Sequence, residues 1–225
     1  SRKALRGQTR INLTSSVGIQ TVQDKIKLTD AAGFKTLYSA QLANLNSPPF
    51  DYTNYTANTN WQNEIFRDAL ISTNNLSISN SGDKSSTVLN IGYTNQEGVM
   101  KNDNYERFLV RLNEEINVSK AFKVGGNINA YYTRNNPTVV SLTNPLWAAP
   151  IVPIQDGDMY YSMPSFQRAQ VGNPIGTLNR SDETSVNQDF RLVGSLFGEV
   201  KYLKNFTWRS TVYTDLGYST SRSYS

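Results

Sequence analysis

The 225-residue chain contains no cysteine and no histidine. Without cysteine there are no disulfides and no thiolate metal sites. Without histidine the usual general base, the catalytic triad and most zinc sites fall away. Long apolar runs are missing as well. The longest stretch without a charged or strongly polar side chain, residues 147–154, is interrupted by Pro150 and Pro153. A transmembrane helix needs about 20 apolar residues, so none is encoded. The opening Ser1-Arg2-Lys3-Ala4-Leu5-Arg6 has no apolar segment behind its charges. It reads as a basic lead-in from something upstream rather than a signal peptide. Net charge is only +4 and is spread along the chain, which leaves no clustered basic stripe for nucleic acid. Aromatic side chains, by contrast, are plentiful. Thirteen tyrosines and three tryptophans suit membrane interfaces or loops that stack on sugars.

The clearest pattern lies between Ser85 and Arg134. From Tyr105 onward the even positions are Phe108, Val110, Leu112, Glu114, Ile116 and Val118, and the odd ones are Arg107, Leu109, Arg111, Asn113, Glu115 and Asn117. A strand sends successive side chains to opposite faces, so one face is apolar and the other mostly polar. After Ser119-Lys120-Ala121 the alternation resumes, with Val124, Gly126, Ile128, Ala130 and Tyr132 against Lys123, Gly125, Asn127, Asn129, Tyr131 and Thr133. Strands this long exceed the usual five or six residues. An apolar face about 25 Å tall matches a lipid bilayer. The low hydrophobic content, 38%, is compatible with that reading, because half of every barrel strand and all of the loops are polar.

Along the chain, residues 8–21 form a first strand whose apolar face carries Ile11, Leu13, Val17 and Ile19. Residues 28–44 switch to helical spacing through Phe34, Leu37, Tyr38 and Leu42, with Thr29 or Asp30 as N-cap. Asn46-Ser47-Pro48-Pro49 ends that helix, and a polar, aromatic loop at 51–60 leads to a short helical turn at 61–66. Strands follow at 69–80, 85–96, 105–118 and 123–134. Residues 137–187 make a connection far beyond ordinary loop length, which points to function. In it, Asn144-Pro145 caps a short helix to Ala149 and Asp156-Gly157 marks a turn. Two final strands occupy 188–203 and 206–218, joined at Lys204-Asn205. Connection lengths thus run long, short, medium, short, long, short. In an up-and-down meander alternate connections share an end, so the short turns collect on one rim and the long loops on the other, the asymmetry of an outer-membrane barrel.

Candidate chemistry is sparse. Glu114 and Glu115 are adjacent on a strand, face opposite ways and share no site; Glu115 and Arg111 lie on one face at ion-pair spacing. Glu114 falls on the lipid-facing side unless it sits near a rim or contacts another strand. Asp156-Gly157-Asp158 supplies too few oxygens for calcium. The Asn-x-Ser/Thr patterns at Asn12, Asn54, Asn75, Asn117, Asn179 and Asn205 reflect a chain rich in those residues. Gly125-Gly126 in mid-strand signals a bend or a close packing contact. No catalytic, cofactor or metal site emerges. Trp147, Tyr160 and Tyr161 in the long connection are the candidate ligand contacts, since aromatic faces stack on sugar rings and peptide side chains. They equally suit packing within the loop or against a partner protein.

Trp61-Gln62-Asn63-Glu64-Ile65-Phe66 resembles the TonB-dependent outer-membrane receptors of the SusC/RagA type found in Bacteroidota. Further matches follow in the order of that family. They are Asn75-Leu76-Ser77-Ile78-Ser79, Gly92-Tyr93-Thr94-Asn95-Gln96-Glu97-Gly98-Val99, Tyr105-Glu106-Arg107, and Arg111-Leu112-Asn113. The resemblance covers residues 8–136 well and the rest loosely. It implies a plug folded inside a barrel of about 22 strands, with this chain a partial barrel domain from its first strand onward, the plug and remaining strands lying outside it. It further implies import of nutrients such as oligosaccharides or peptides. The implied partners are a SusD-like surface lipoprotein over the long loops, the TonB system below, and outer-membrane lipid, in a Gram-negative bacterium.

The expected fold is therefore all-β: an antiparallel, up-and-down transmembrane β-barrel segment of about seven strands, with a short helix in a long extracellular loop. The expected function is transport without covalent chemistry or cofactor. Two other readings stay open: a soluble or surface carbohydrate-binding β-sandwich, and an outer-membrane enzyme.

Overall fold

The computed structural model describes residues 7–137, 140–203 and 205–223, and only the backbone of residues 181–184. Seven long strands form one sheet: β1 (Arg10–Gln20), β2 (Ala69–Ser81), β3 (Ser85–Glu97), β4 (Asn104–Asn117), β5 (Phe122–Asn136), β8 (Ser185–Tyr202) and β9 (Phe206–Ser223). Each pairs antiparallel with its neighbour in sequence, in the order β1-β2-β3-β4-β5-β8-β9. The sheet is an open meander. A small hairpin, β6 (Gln155–Asp156) with β7 (Met159–Tyr160), lies apart from it.

The register aligns the apolar positions of all seven strands. One row reads Leu13, Leu76, Ile91, Val110, Ala130, Leu192 and Leu216 from edge to edge, and the next begins Ile11, Ile78, Leu89, Leu112 and Ile128. Because the side-chain period is two, a slip of one residue in any strand would turn its apolar set to the polar face. Above these rows, toward the long connections, runs a line of rings: Tyr93, Phe108, Tyr132, Phe190 and Tyr218. Phe122, Val200 and Trp208 mark the opposite end of the same face. From Phe122 to Tyr132 is about 33 Å of strand, which a tilt of about 40° projects onto about 25 Å.

This face is not covered. Leu13, Leu196, Val212 and Leu216 are each more than 60% exposed. The buried residues lie almost wholly in the connections. The segment between β1 and β2 carries α1 (Ala31–Asn44) and α2 (Trp61–Ile65); the segment between β5 and β8 carries α3 (Asn144–Trp147), the β6–β7 hairpin and α4 (Pro174–Thr184). Ala31 and Trp61 from the first pack with Ala148, Ala149, Ile151, Val152, Met163 and Val171 from the second. A smaller cluster joins Ile65, Val140 and Leu178, with Phe66 and Met100 against it. The two long connections and the medium loop at 98–103 therefore fold into one cap at one end of the sheet. The short turns at 82–84 and 118–121, and the β8–β9 turn, lie at the other. Lys204 of that last turn is outside the described residues.

Local chemistry explains most element ends. Asp30 caps α1 by accepting from the Gly33 N–H at 2.8 Å, and Asn46, at φ 51°, closes it before Pro48. Asn60 caps α2 in the same way through Asn63 N–H. The 14-residue α1 falls within the 28–44 stretch of helical spacing, and α2 and α3 fall where short helical segments were expected; α4 is the addition, replacing what read as irregular chain before residue 188. Gly125 and Gly126 meet the packing explanation. A Cβ at Gly125 would stand 2.7 Å from the Phe197 ring, and one at Gly126 would stand 2.6 Å from a Leu196 methyl.

Candidate functional site

Two surfaces offer chemistry: the polar face of the sheet and the cap. On the polar face the register lines up Ser16, Thr73, Thr94, Arg107, Thr133, Asp189 and Ser219 in a single row across all seven strands. Cross-strand hydrogen bonds tie this face together, among them Arg111 Nε to Asn129 Oδ1 at 3.1 Å and Asn127 Nδ2 to Ser195 Oγ at 2.8 Å. Glu115 forms an ion pair with Lys123 Nζ at 2.8 Å, across the β4–β5 hairpin. The spacing to Arg111 had pointed elsewhere; the register puts Arg111 beside Asn129 and brings Lys123 to the Glu115 end. Glu114 sits on the apolar-face parity, opposite Thr87 and Gly126, three residues before Asn117 at the short-turn end of β4.

Toward the cap this face hollows into a cavity of about 740 Å³ lined by Tyr105, Arg107, Tyr131, Asp189, Arg191 and Asp215, among others. Arg191 grips Asp215 with both arms of its fork, Nε at 2.9 Å and Nη2 at 2.6 Å. Asp189 accepts from the hydroxyls of Thr133 and Ser219. Arg107 stands over the Tyr131 ring, 5.4 Å from its centroid. Its Nε–H is buried and meets no acceptor among the described residues.

The cap contains two further clefts. The first, about 660 Å³, lies between residues 25–30, residues 58–62 and α3, with Trp147, Phe34, Leu28 and Lys27 on its walls. Gln62 builds one side by clamping Ile26, accepting from its N–H at 3.0 Å and donating to its carbonyl at 2.7 Å. Trp147 is 63% exposed at the rim. The second cleft, about 550 Å³, is lined by Tyr160, Tyr161, Arg168, Asn173 and Arg180, among others. Trp147 and the tyrosine pair therefore sit in different clefts. Tyr160 packs its ring against Gly176, and its hydroxyl is hydrogen-bonded to Asn179. Tyr161 donates to the Asn54 carbonyl at 3.0 Å and meets the Tyr55 ring edge-on. These two link parts of the cap, while Trp147 presents a free indole face.

An aromatic cluster joins the two long connections: Phe34, Tyr38 and Phe50 from the first surround Phe166 from the second. Burial, with the nearby Tyr52, pushes the Tyr38 hydroxyl above its usual range. The Thr53 hydroxyl and N–H hold the Asp51 carboxyl below the ordinary carboxylate range. No group of acidic side chains able to hold a metal occurs among the described residues. The polar-face cavity and Asn173 escaped sequence reasoning. Arg107 was visible as a polar-face position, but β8 and β9 had to be put in register to bring Asp189, Arg191 and Asp215 beside it.

No family model matches the chain. It is 34% identical over 128 residues to TonB-dependent receptor P3 of Formosa agariphila, which covers 57% of this chain and 12% of that receptor. It is 27% identical over 169 residues to TonB-dependent receptor P26 of the same bacterium, 74% of this chain and 17% of that receptor. A 58-residue stretch is 36% identical to TonB-dependent receptor SusC of Bacteroides thetaiotaomicron, or 26% of this chain and 6% of SusC. Among solved structures, the RagAB peptide importer in its closed-closed state superposes with a TM-score of 0.77 at 16% identity, over 98% of this chain and 29% of that one. The fold is thus that of one part of a TonB-dependent receptor. Within that class, sequence and fold together match a segment of the SusC/RagA type. The chain spans less than a third of the length of the relatives it matches.

Proposed function

We propose that this chain forms part of the barrel wall and outer cap of a TonB-dependent outer-membrane transporter that imports nutrients such as oligosaccharides or peptides. One observation carries the reading. The sheet leaves a continuous apolar face uncovered, about 25 Å tall and flanked by aromatic residues, while the buried core sits in the loops. A soluble β-sandwich buries its apolar face against a second sheet; here the buried positions are Trp61, Ile151, Val152 and their neighbours in the cap. On this reading the apolar face meets lipid, the polar face lines the lumen, and the cap faces outward. A SusD-like lipoprotein lies over the cap, and the TonB system acts from below through a plug carried elsewhere in the receptor. The protein does no covalent chemistry. Trp147 contacts substrate through its exposed face, and Tyr160 and Tyr161 line a neighbouring cleft.

Epitope tags on intact cells test the orientation. Tags within 51–60 and 155–170 are expected to bind antibody, and tags at Ser81-Gly82 and Lys120-Ala121 are not; the reverse pattern would overturn the topology. Energy-dependent uptake by cells with and without the receptor tests the transport itself.

A further inference from the structure

From the polar-face cavity, we infer that Arg107 is the anchor of a binding site for a carboxylate-bearing solute on the inner wall. The inference rests on the import reading, since it needs that face to line a solute path, and it deepens it by naming a substrate class. The other charges in the cavity have partners. Arg191 and Asp215 hold each other in a bidentate pair, and two hydroxyls serve Asp189. Arg107 differs. Its Nε–H has no acceptor among the described residues, and the ring of Tyr131 offers it a π face rather than an oxygen.

An orphaned buried donor is uncommon and points to a missing partner. Arginine fixes its donors in a planar fork, so the partner that satisfies Nε–H together with a neighbouring Nη–H is a planar pair of oxygens, a carboxylate. A lysine or a hydroxyl-rich wall would suffice for a neutral sugar; the fork adds selection for a flat anion. Tyr131 fixes the guanidinium from below, which reduces the freedom lost on binding. The volume, about 740 Å³, lies within the range of small-molecule sites. Thr94 and Thr133 stand on either side of Arg107 in the row, with the Thr133 hydroxyl donated to Asp189.

The test uses the full-length receptor carrying these strands, purified in detergent, with 4-bromobenzoate and its neutral amide as paired probes, followed by saturation-transfer NMR. The receptor is expected to bind the carboxylate at least tenfold more tightly than the amide. Arg107→Gln is expected to abolish that preference and Arg107→Lys to restore it only in part, with both variants folded by heat-modifiability. Equal binding of the two probes, or an unchanged preference in Arg107→Gln, overturns the proposal. So does a receptor that binds neither probe yet loses thermal stability in Arg107→Gln, because Arg107 then serves a carboxylate within the receptor itself. Uptake is scored separately: a receptor that fails to transport but keeps the probe preference counts against import and not against the site.

Discussion

Asn173 uses the whole hydrogen-bonding capacity of its amide. Its oxygen accepts from the N–H groups of Ile175 and Gly176 and so caps α4. Its nitrogen donates to the carbonyls of Ile154 and Tyr161 at 2.9 and 3.0 Å. The side chain is buried, so none of these four backbone groups has water as a ready substitute. Asn173→Ala is expected to cost the cap about 1–3 kcal/mol, from the lost helix cap and the stranded carbonyls. Asn173→Asp keeps the acceptor and loses both donors, and is expected to leave the start of α4 intact while loosening residues 154–161. Hydrogen exchange of those amides in the purified receptor separates the two outcomes.

Among the elements, the strands and the first three helices of the cap were legible, and the packing of the cap was not. Period-two alternation specifies a strand and its faces without knowledge of any neighbour, and each apolar set named from the sequence falls on one face of the sheet. Strand ends were less clear. β8 begins at Ser185 and β9 continues to Ser223 because cross-strand partners extend the ladder past the last alternating residue. The packing of the cap was obscure for the opposite reason, since its core pairs residues about 90 positions apart. Trp61, for instance, packs on Ala148 and Ala149 and donates from Nε1 to the Ala149 carbonyl at 3.0 Å. Only Asn173-Pro174, with Ile175 and Leu178 one helical turn apart, held a local signal for α4. The cap's dependence on Trp61 is testable. Trp61→Ala is expected to destabilise the cap by about 3–5 kcal/mol and to expose residues 140–173 to protease on intact cells. Trp61→Phe keeps most of the packing but strands the Ala149 carbonyl, and is expected to fall between parent and Trp61→Ala.

For the molecule as a whole, the two faces should respond differently to one added charge. Arginine on the lipid side near the bilayer midplane costs about 2–4 kcal/mol, whereas lumen positions tolerate it. Leu112→Arg and Ile128→Arg are therefore expected to reduce heat-resistant folded receptor in outer membranes, and Asn113→Arg and Asn127→Arg to leave it near the parental level. Equal losses on both faces would mean that protein, not lipid, covers the apolar side. The order of the sheet has one more consequence. Seven strands that alternate in direction leave β1 and β9 running the same way, so these two margins cannot zip to each other antiparallel. Any ring that closes around this wall with antiparallel pairs throughout must supply an odd number of additional strands, making the total even. A hairpin has two strands and so cannot complete the ring, whereas a single strand or a hairpin plus one satisfies its parity.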